Sequence, residues 1–208
     1  MGINKKKTQV MMFNKSRKWD FPPEIRFNDG TLLDVISETK LVGVMITDNL
    51  SWHKNTLYIC QKARQKLWIL RRMINLGLSD YLLYDVYCKE IRSLVEFAVP
   101  VWHPALTLKD SKMIERIQKV AFRIILGERY ISYEFSCQNF NTTTLENRRE
   151  KICKSFATKN LKSKNSFFSL VQKNVNTRSN VNKVREFKCR TERYMKSSLP
   201  YMAKLLNK

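Results

Sequence analysis

The chain has 208 residues, with 39 Lys or Arg against 18 Asp or Glu, a formal net charge of +21. Its 43% hydrophobic and 11% aromatic content is enough for a core, which excludes wholesale disorder, and the length suits one ordinary domain or two small ones. The longest charge-free stretch, 97–108, is 12 residues with two prolines, short of the roughly 20 apolar residues a membrane-spanning helix needs, and residues 1–18 are basic without the apolar run of a secretory leader.

The five cysteines, at 60, 88, 137, 153 and 189, are irregularly spaced with no Cys-x-x-Cys pair. An odd count suits a reducing compartment, nucleus or cytosol, better than a disulfide framework. His53 and His103 each follow a tryptophan and lie far apart, so no ligand spacing for zinc exists and buried or half-exposed side chains are expected. Charge is uneven: residues 1–104 carry a net +6 and residues 105–208 a net +15. Self-repulsion of that size favours a polyanionic partner, nucleic acid first and an acidic membrane surface second, with a basic protein lacking a dedicated partner as the plain alternative.

In chain order, residues 8–13 (TQVMMF) have strand propensity, and Pro22 and Pro23 break the chain. Residues 24–27 and 31–36 flank the Asn28-Asp29-Gly30 turn signal as a hairpin. Residues 40–46 (KLVGVMI) read as one further, more buried strand with Gly43 inside it. From Trp52 the period becomes helical, with Cys60, Ala63, Leu67, Leu70 and Ile74 as an apolar seam, Gly77 as C-cap and Ser79 as the next N-cap. A second helix is predicted over about 80–98, with Leu83, Tyr87, Ile91, Leu94 and Ala98 inward. Pro100 and Pro104 bracket a rigid corner, Val101-Trp102-His103.

The third helix has Thr107 as N-cap, Asp110 at the third position, Ile114, Ile117, Ala121, Ile124 and Ile125 as its stripe, and Gly127 as its stop. Lys112, Arg116, Lys119 and Arg123, spaced 4, 3 and 4, fall in one narrow sector with Glu115 as the sole acid in the row. Such a row can follow a phosphate backbone; an ordinary solvated face carries equal weight. A fourth helix is predicted over about 144–159. Residues 147–208 hold 17 basic and 3 acidic side chains, with 172–188 read as loop and 200–207 as a short amphipathic segment. Phosphate-cradling glycine loops, a Gly-x-Ser-x-Gly elbow and adjacent aspartates are all missing, so no catalytic site is assembled by the sequence itself.

Several runs resemble the reverse transcriptase of jockey-like non-LTR retrotransposons, in the part just downstream of its catalytic aspartates. Residues 4–13 (NKKKTQVMMF) resemble the Asn-x-x-Lys-Thr-x-x-Met-x-Phe strand that closes the palm. Residues 41–52 (LVGVMITDNLSW) resemble the Leu-Gly-Val primer grip and its Leu-x-Trp. Residues 62–72, 91–103 and 114–127 are similar to the helical thumb and the region beyond it. Arg148-Arg149 and the ending Cys189-x-Thr-x-Arg, Ser198-Leu199-Pro200-Tyr201, Leu205-Leu206-Asn207 look like the family's tail. The likeness runs, with gaps, over nearly the whole chain.

The resemblance implies an α+β, mainly α fold: a β-rich palm remnant over 1–51, a helical thumb-like bundle over 52–160 and a basic, partly ordered tail over 161–208. It implies template–primer binding, RNA–DNA duplex first, through basic helical faces: the row Lys112, Arg116, Lys119 and Arg123 and the cluster Lys62, Arg64, Lys66, Arg71 and Arg72, with the row ranked first and Arg148 and Arg149 next. The family's Tyr-x-Asp-Asp pair and earlier aspartate, which hold Mg²⁺, would lie ahead of Met1, so no catalytic residue and no metal are expected here. Val42 departs mildly from the family's leucine, and His53 directly follows Trp52, whereas the family tends to place a histidine a few residues later. Tryptophans 52, 68 and 102 are expected in core or corner positions rather than as base-stacking platforms. Two alternatives stay open: an active polymerase completed by an upstream polypeptide, and an unrelated basic binding module. The N-terminal strands are expected to expose an unpaired edge, and the helices to be the better-folded half.

Overall fold

Tight turns organise the N-terminal part of the computed structural model, which describes residues 4, 7–13, 24–163, 184 and 186–207. The chain divides into two units, Met1–Tyr58 and Ile59–Lys208, the boundary falling inside a helix. The described residues of 161–208 group with the second unit. The fold is α+β and mainly α.

In the first unit, the Asn28-Asp29-Gly30 signal makes its turn. Arg26 and Leu32 form an antiparallel bridge, the Phe27 amide donates to the Thr31 carbonyl (2.9 Å), and Gly30 takes φ +83°. The return segment then feeds β2 (Asp34–Val35), which runs parallel to β1 (Gln9–Val10). Residues 40–46 are not one buried strand. They split into an antiparallel hairpin, β3 (Glu38–Leu41) and β4 (Val44–Thr47), joined by Val42 (φ +47°) and Gly43 (φ +87°). Two central residues at positive φ define the hairpin turn whose twist suits its strands. Glycine accepts that backbone freely, whereas a β-branched valine is strained there. Val42 is also 84% exposed, so packing returns nothing for the strain. Val42→Asn is therefore expected to stabilise the hairpin by about 1 kcal/mol, read as slower exchange of the β3 and β4 amides.

Beyond the hairpin, Thr47 and Asn49 side chains hold the Ser51 amide (3.1 and 2.9 Å), turning the chain into α1 (His53–Asn75). Cys60, Ala63, Leu67 and Leu70 form its buried seam, while Ile74 is exposed near the end. Gly77 adopts φ +76° beyond it, as a C-terminal glycine should.

The next helix carries an irregularity that its sequence encodes. Leu83, Tyr87, Ile91, Val95 and Val99 are all buried and recur every four residues. On a 3.6-residue helix each such step overshoots by about 40°, so three steps would leave the face by about 120°. The chain absorbs the overshoot with a wide turn over Tyr87–Arg92, between α2 (Asp80–Val86) and α3 (Ser93–Val95). The inward positions are thus Val95 and Val99, not Leu94 and Ala98. Ala98 instead takes the left-handed conformation (φ +50°) and redirects the chain into α4 (Val99–Trp102). The expected corner is two short helical turns, α4 and a 3₁₀ turn at His103–Ala105. Its Trp102 is fully buried, with its indole N–H donating to the Phe97 carbonyl (2.9 Å).

Helix α5 (Leu108–Leu126) begins and ends where its signals lie. Thr107 Oγ1 accepts the Asp110 amide (3.1 Å) and donates to its carboxylate (2.6 Å), and Gly127 closes it at φ +53°. Of the expected stripe Ile114, Ile117, Ala121 and Ile125 are buried, joined by Gln118, Phe122 and Leu126, while Ile124 is only half-buried. A helix without a counterpart in the sequence reading, α6 (Tyr133–Asn139), is capped by Ser132 accepting the Phe135 amide (3.0 Å). Around Phe122 gather Tyr84, Tyr87, Tyr133 and Phe140, with Tyr84 and Phe140 stacked at 4.6 Å. Gln118 satisfies the polar ends inside this cluster: it accepts from the Tyr87 hydroxyl (2.8 Å) and donates to the Tyr133 hydroxyl and the Thr143 carbonyl. Helix α7 (Leu145–Leu161), capped by Thr144, packs against α4, α5 and α9 (Ser198–Leu206), with Ala157 and Met202 at its seam with α9. Helix α8 (Glu192–Met195) precedes α9. Of the loop expected over 172–188, only 184 and 186–188 are described.

All five cysteines are free: Cys60, Cys137 and Cys153 are buried, Cys88 and Cys189 half-buried. Burial pushes the Cys60 thiol up to about 11 and that of Cys153 to about 12.

Candidate nucleic-acid interface

Helix α5 turns its four cations outward as their spacing requires: Lys112, Arg116, Lys119 and Arg123 are all exposed. The Lys119 ammonium lies 4.9 Å from the Tyr133 ring centre and the Arg123 guanidinium 5.2 Å from that of Tyr130. Contacts with a ring face hold these side chains without neutralising them. Glu115, the one acid in the row, is turned away. Its carboxylate accepts the Leu145 and Glu146 amides (2.9 and 3.2 Å) and the Tyr133 hydroxyl, capping the start of α7. Burial and that hydrogen bond hold the Tyr133 phenol far above its ordinary range.

The cluster on α1 splits by helical phase. At 100° per residue, Arg64 and Arg71 are about 20° apart, whereas Lys62 and Lys66 point to the other side. Lys62 is exposed, and Lys66 is ion-paired to Glu90 at 2.6 Å. Arg72 lies 5.7 Å from the Trp68 ring centre.

Arg64 and Arg71 meet Arg116 across a cleft of about 530 Å³ floored by Leu67, Ile117 and Val120. No ion pair within the described residues engages any of the three arginines. Fifty-two residues separate Arg64 from Arg116 in the chain. Spacing alone assigns them to two clusters and carries no sign that they converge.

Compared with family models, curated proteins and solved structures, the chain matches none.

Arg148 and Arg149 are not bare cations: Arg148 is ion-paired and Arg149 is enclosed. Arg148 makes a paired contact with the Glu96 carboxylate, one arm at 3.0 Å. Arg149 is 0% exposed. It donates through Nε to His103 Nδ1 (3.3 Å) and through Nη2 to Ser111 Oγ (2.8 Å), with Glu115 4.0 Å away; its Nη1 finds no hydrogen-bond partner among the described residues. A guanidinium so enclosed cannot reach a phosphate at the surface.

His103 is the joint of this buried set. With Nδ1 accepting from Arg149, its proton sits on Nε2, which faces the Tyr201 hydroxyl at 3.3 Å. Burial first, and the Arg149 charge second, lower its pKa from 6.5 to about 4. Between those values the unfolded chain takes up a proton that the folded chain refuses, so stability present above pH 6.5 is lost as pH falls. Urea midpoints are expected to fall by the equivalent of about 1–2 kcal/mol from pH 6.5 to 5. His103→Gln, which keeps an acceptor and a donor but does not titrate, should flatten that slope.

Two further features lie outside the sequence reading. Lys151, Lys154, Lys159 and Lys162 line a shallow hollow on the outer face of α7; their spacing of 3, 5 and 3 is the available signal. Trp68 is 53% exposed rather than core or corner, while Trp102 is buried and Trp52 half-buried. Among the described residues, no three His, Cys, Asp or Glu side chains converge as metal ligands, and no helix is long and apolar enough to cross a membrane.

Proposed function

We propose that the chain binds nucleic acid through the cationic surface of α1 and α5, as a reverse-transcriptase-derived protein that holds template–primer duplex and lacks the polymerase's metal-binding aspartates. The observation that carries this reading is the cleft of Arg64, Arg71 and Arg116, three guanidinium groups that no ion pair among the described residues engages, over an apolar floor. Arginine keeps its charge when partly dehydrated and grips phosphate oxygens with two parallel N–H bonds. The α5 row extends that cationic track along about 16 Å of helix. Contacts of this kind read backbone rather than bases, which a protein that must ride over any sequence requires.

Fluorescence anisotropy with a labelled RNA–DNA hybrid tests the proposal. About five phosphate contacts give a log–log salt slope of about −4 to −5. A flat response would remove the electrostatic basis of the reading. Primer extension by the purified chain alone in Mg²⁺ would overturn its non-catalytic part.

A further inference from the structure

Trp68 stands where an exposed tryptophan has no packing reason to be. Residues three and four apart on a helix are neighbours, and Arg64 lies one turn before Trp68 while Arg71 and Arg72 lie one turn after it. Two of those arginines line the cleft, and the third lies 5.7 Å from the ring centre. The indole is 53% exposed, and its neighbour Leu67 supplies the buried floor of the cleft. An aromatic face set among cations, next to a cleft that draws phosphate, is how proteins hold unstacked nucleotides.

We infer that Trp68 and the arginine cleft form a single-nucleotide site, with phosphate among Arg64, Arg71 and Arg116 and the attached base stacked on the indole. The occupant is an unpaired nucleotide, in a single strand or at a frayed or overhanging duplex end, because a base inside a continuous duplex has both faces covered. The inference rests on the nucleic-acid reading proposed above and adds to it a preference for single-stranded segments. Magnitudes favour the base over the resident cation. An exposed cation–ring contact is worth roughly two- to fivefold in an equilibrium, whereas a stacked base is worth about five- to 100-fold. Arg72 therefore yields the ring face to a base, or closes over the base from outside.

The test uses the full chain and two probes at one salt concentration: a labelled single-stranded DNA 15-mer and a blunt duplex of the same sequence. Trp68→Ala should weaken single-strand binding about five- to 100-fold and duplex binding less than twofold, while Trp68→Phe keeps most single-strand affinity. Matching circular dichroism and melting temperature across the three proteins separate stacking from folding. Unchanged single-strand binding in Trp68→Ala, or equal weakening on both probes, overturns the stacking site and leaves the electrostatic reading standing. If the joint Arg64→Gln, Arg71→Gln, Arg116→Gln variant binds both probes as well as the parent, the underlying reading falls instead.

Discussion

Replacing Arg64, Arg71 and Arg116 together by glutamine is expected to flatten the salt dependence of nucleic-acid binding by about 2.7 in log–log slope, close to 0.9 for each phosphate that is no longer neutralised. The consequence is large. A chain with a slope near −4.5 loses roughly 500-fold in affinity between 50 and 200 mM salt, whereas the triple variant loses roughly tenfold. Because the whole chain carries +21, the control must remove equal charge elsewhere. Lys62, Lys66 and Lys89 suit it: Lys62 and Lys66 point away from the cleft side of α1, and Lys66 and Lys89 are already paired to Glu90 and Asp85 at 2.6 Å each. If changing those three to glutamine flattens the slope as much as changing the arginines, general charge and not the cleft governs binding. Anisotropy titrations over four salt concentrations with a duplex probe decide between them.

Glu115→Ala is expected to be strongly destabilising. One carboxylate, only 16% exposed, receives the first two amides of α7 and the Tyr133 hydroxyl, and it is the counter-charge 4.0 Å from Arg149. Its removal takes the nearest counter-charge from a guanidinium in the interior, and breaking a buried pair costs about 3–5 kcal/mol. For a unit of this size that is about 6–20 °C in melting temperature. Changing both ends, Glu115→Gln with Arg149→Met, removes the charge that must be compensated and should recover part of the loss. Urea unfolding followed by circular dichroism checks the pair. A fall under about 3 °C for Glu115→Ala would mean that Arg149 is compensated by something other than Glu115.

Local chemistry makes much of the fold legible. Thr107, Asp110 and Gly127 delimit α5 because capping involves atoms a few residues apart, and the Asn28-Asp29-Gly30 turn is similarly self-contained. Where regular geometry fails, so does the reading. A 3.6-residue count places Leu94 and Ala98 inward, yet the wide turn at Tyr87–Arg92 rotates Val95 into the core, and the left-handed Ala98 starts a new helix with Val99 buried. Val42 conceals a hairpin because valine is the wrong residue for a left-handed backbone. Ser132 is a fair capping signal for α6, but the helix it starts is only seven residues long and shows no apolar period of its own.

The candidate site divides along the same line. A cationic stripe on one helix is a property of spacing, so the outward row of α5 is readable. Whether an arginine is bare or engaged depends on partners remote in the chain: Glu96 for Arg148, and His103, Ser111 and Glu115 for Arg149. Nothing at positions 148 and 149 marks one as half-buried and the other as wholly enclosed. Convergence of Arg64 and Arg71 with Arg116 likewise exists only once the intervening chain has folded back.

The thiols packed into the helical unit have a chemical consequence. With a pKa pushed up to about 11, Cys60 is ionised in roughly one molecule in ten thousand at neutral pH, and Cys153 in fewer still. Since only the thiolate attacks oxidants and alkylating agents, the closed fold shields these two sulfurs in any redox surroundings. Damage to Cys60 and Cys153 is then paced by how often the helices part, so the rate at which these two thiols are lost is a record of the fold's breathing.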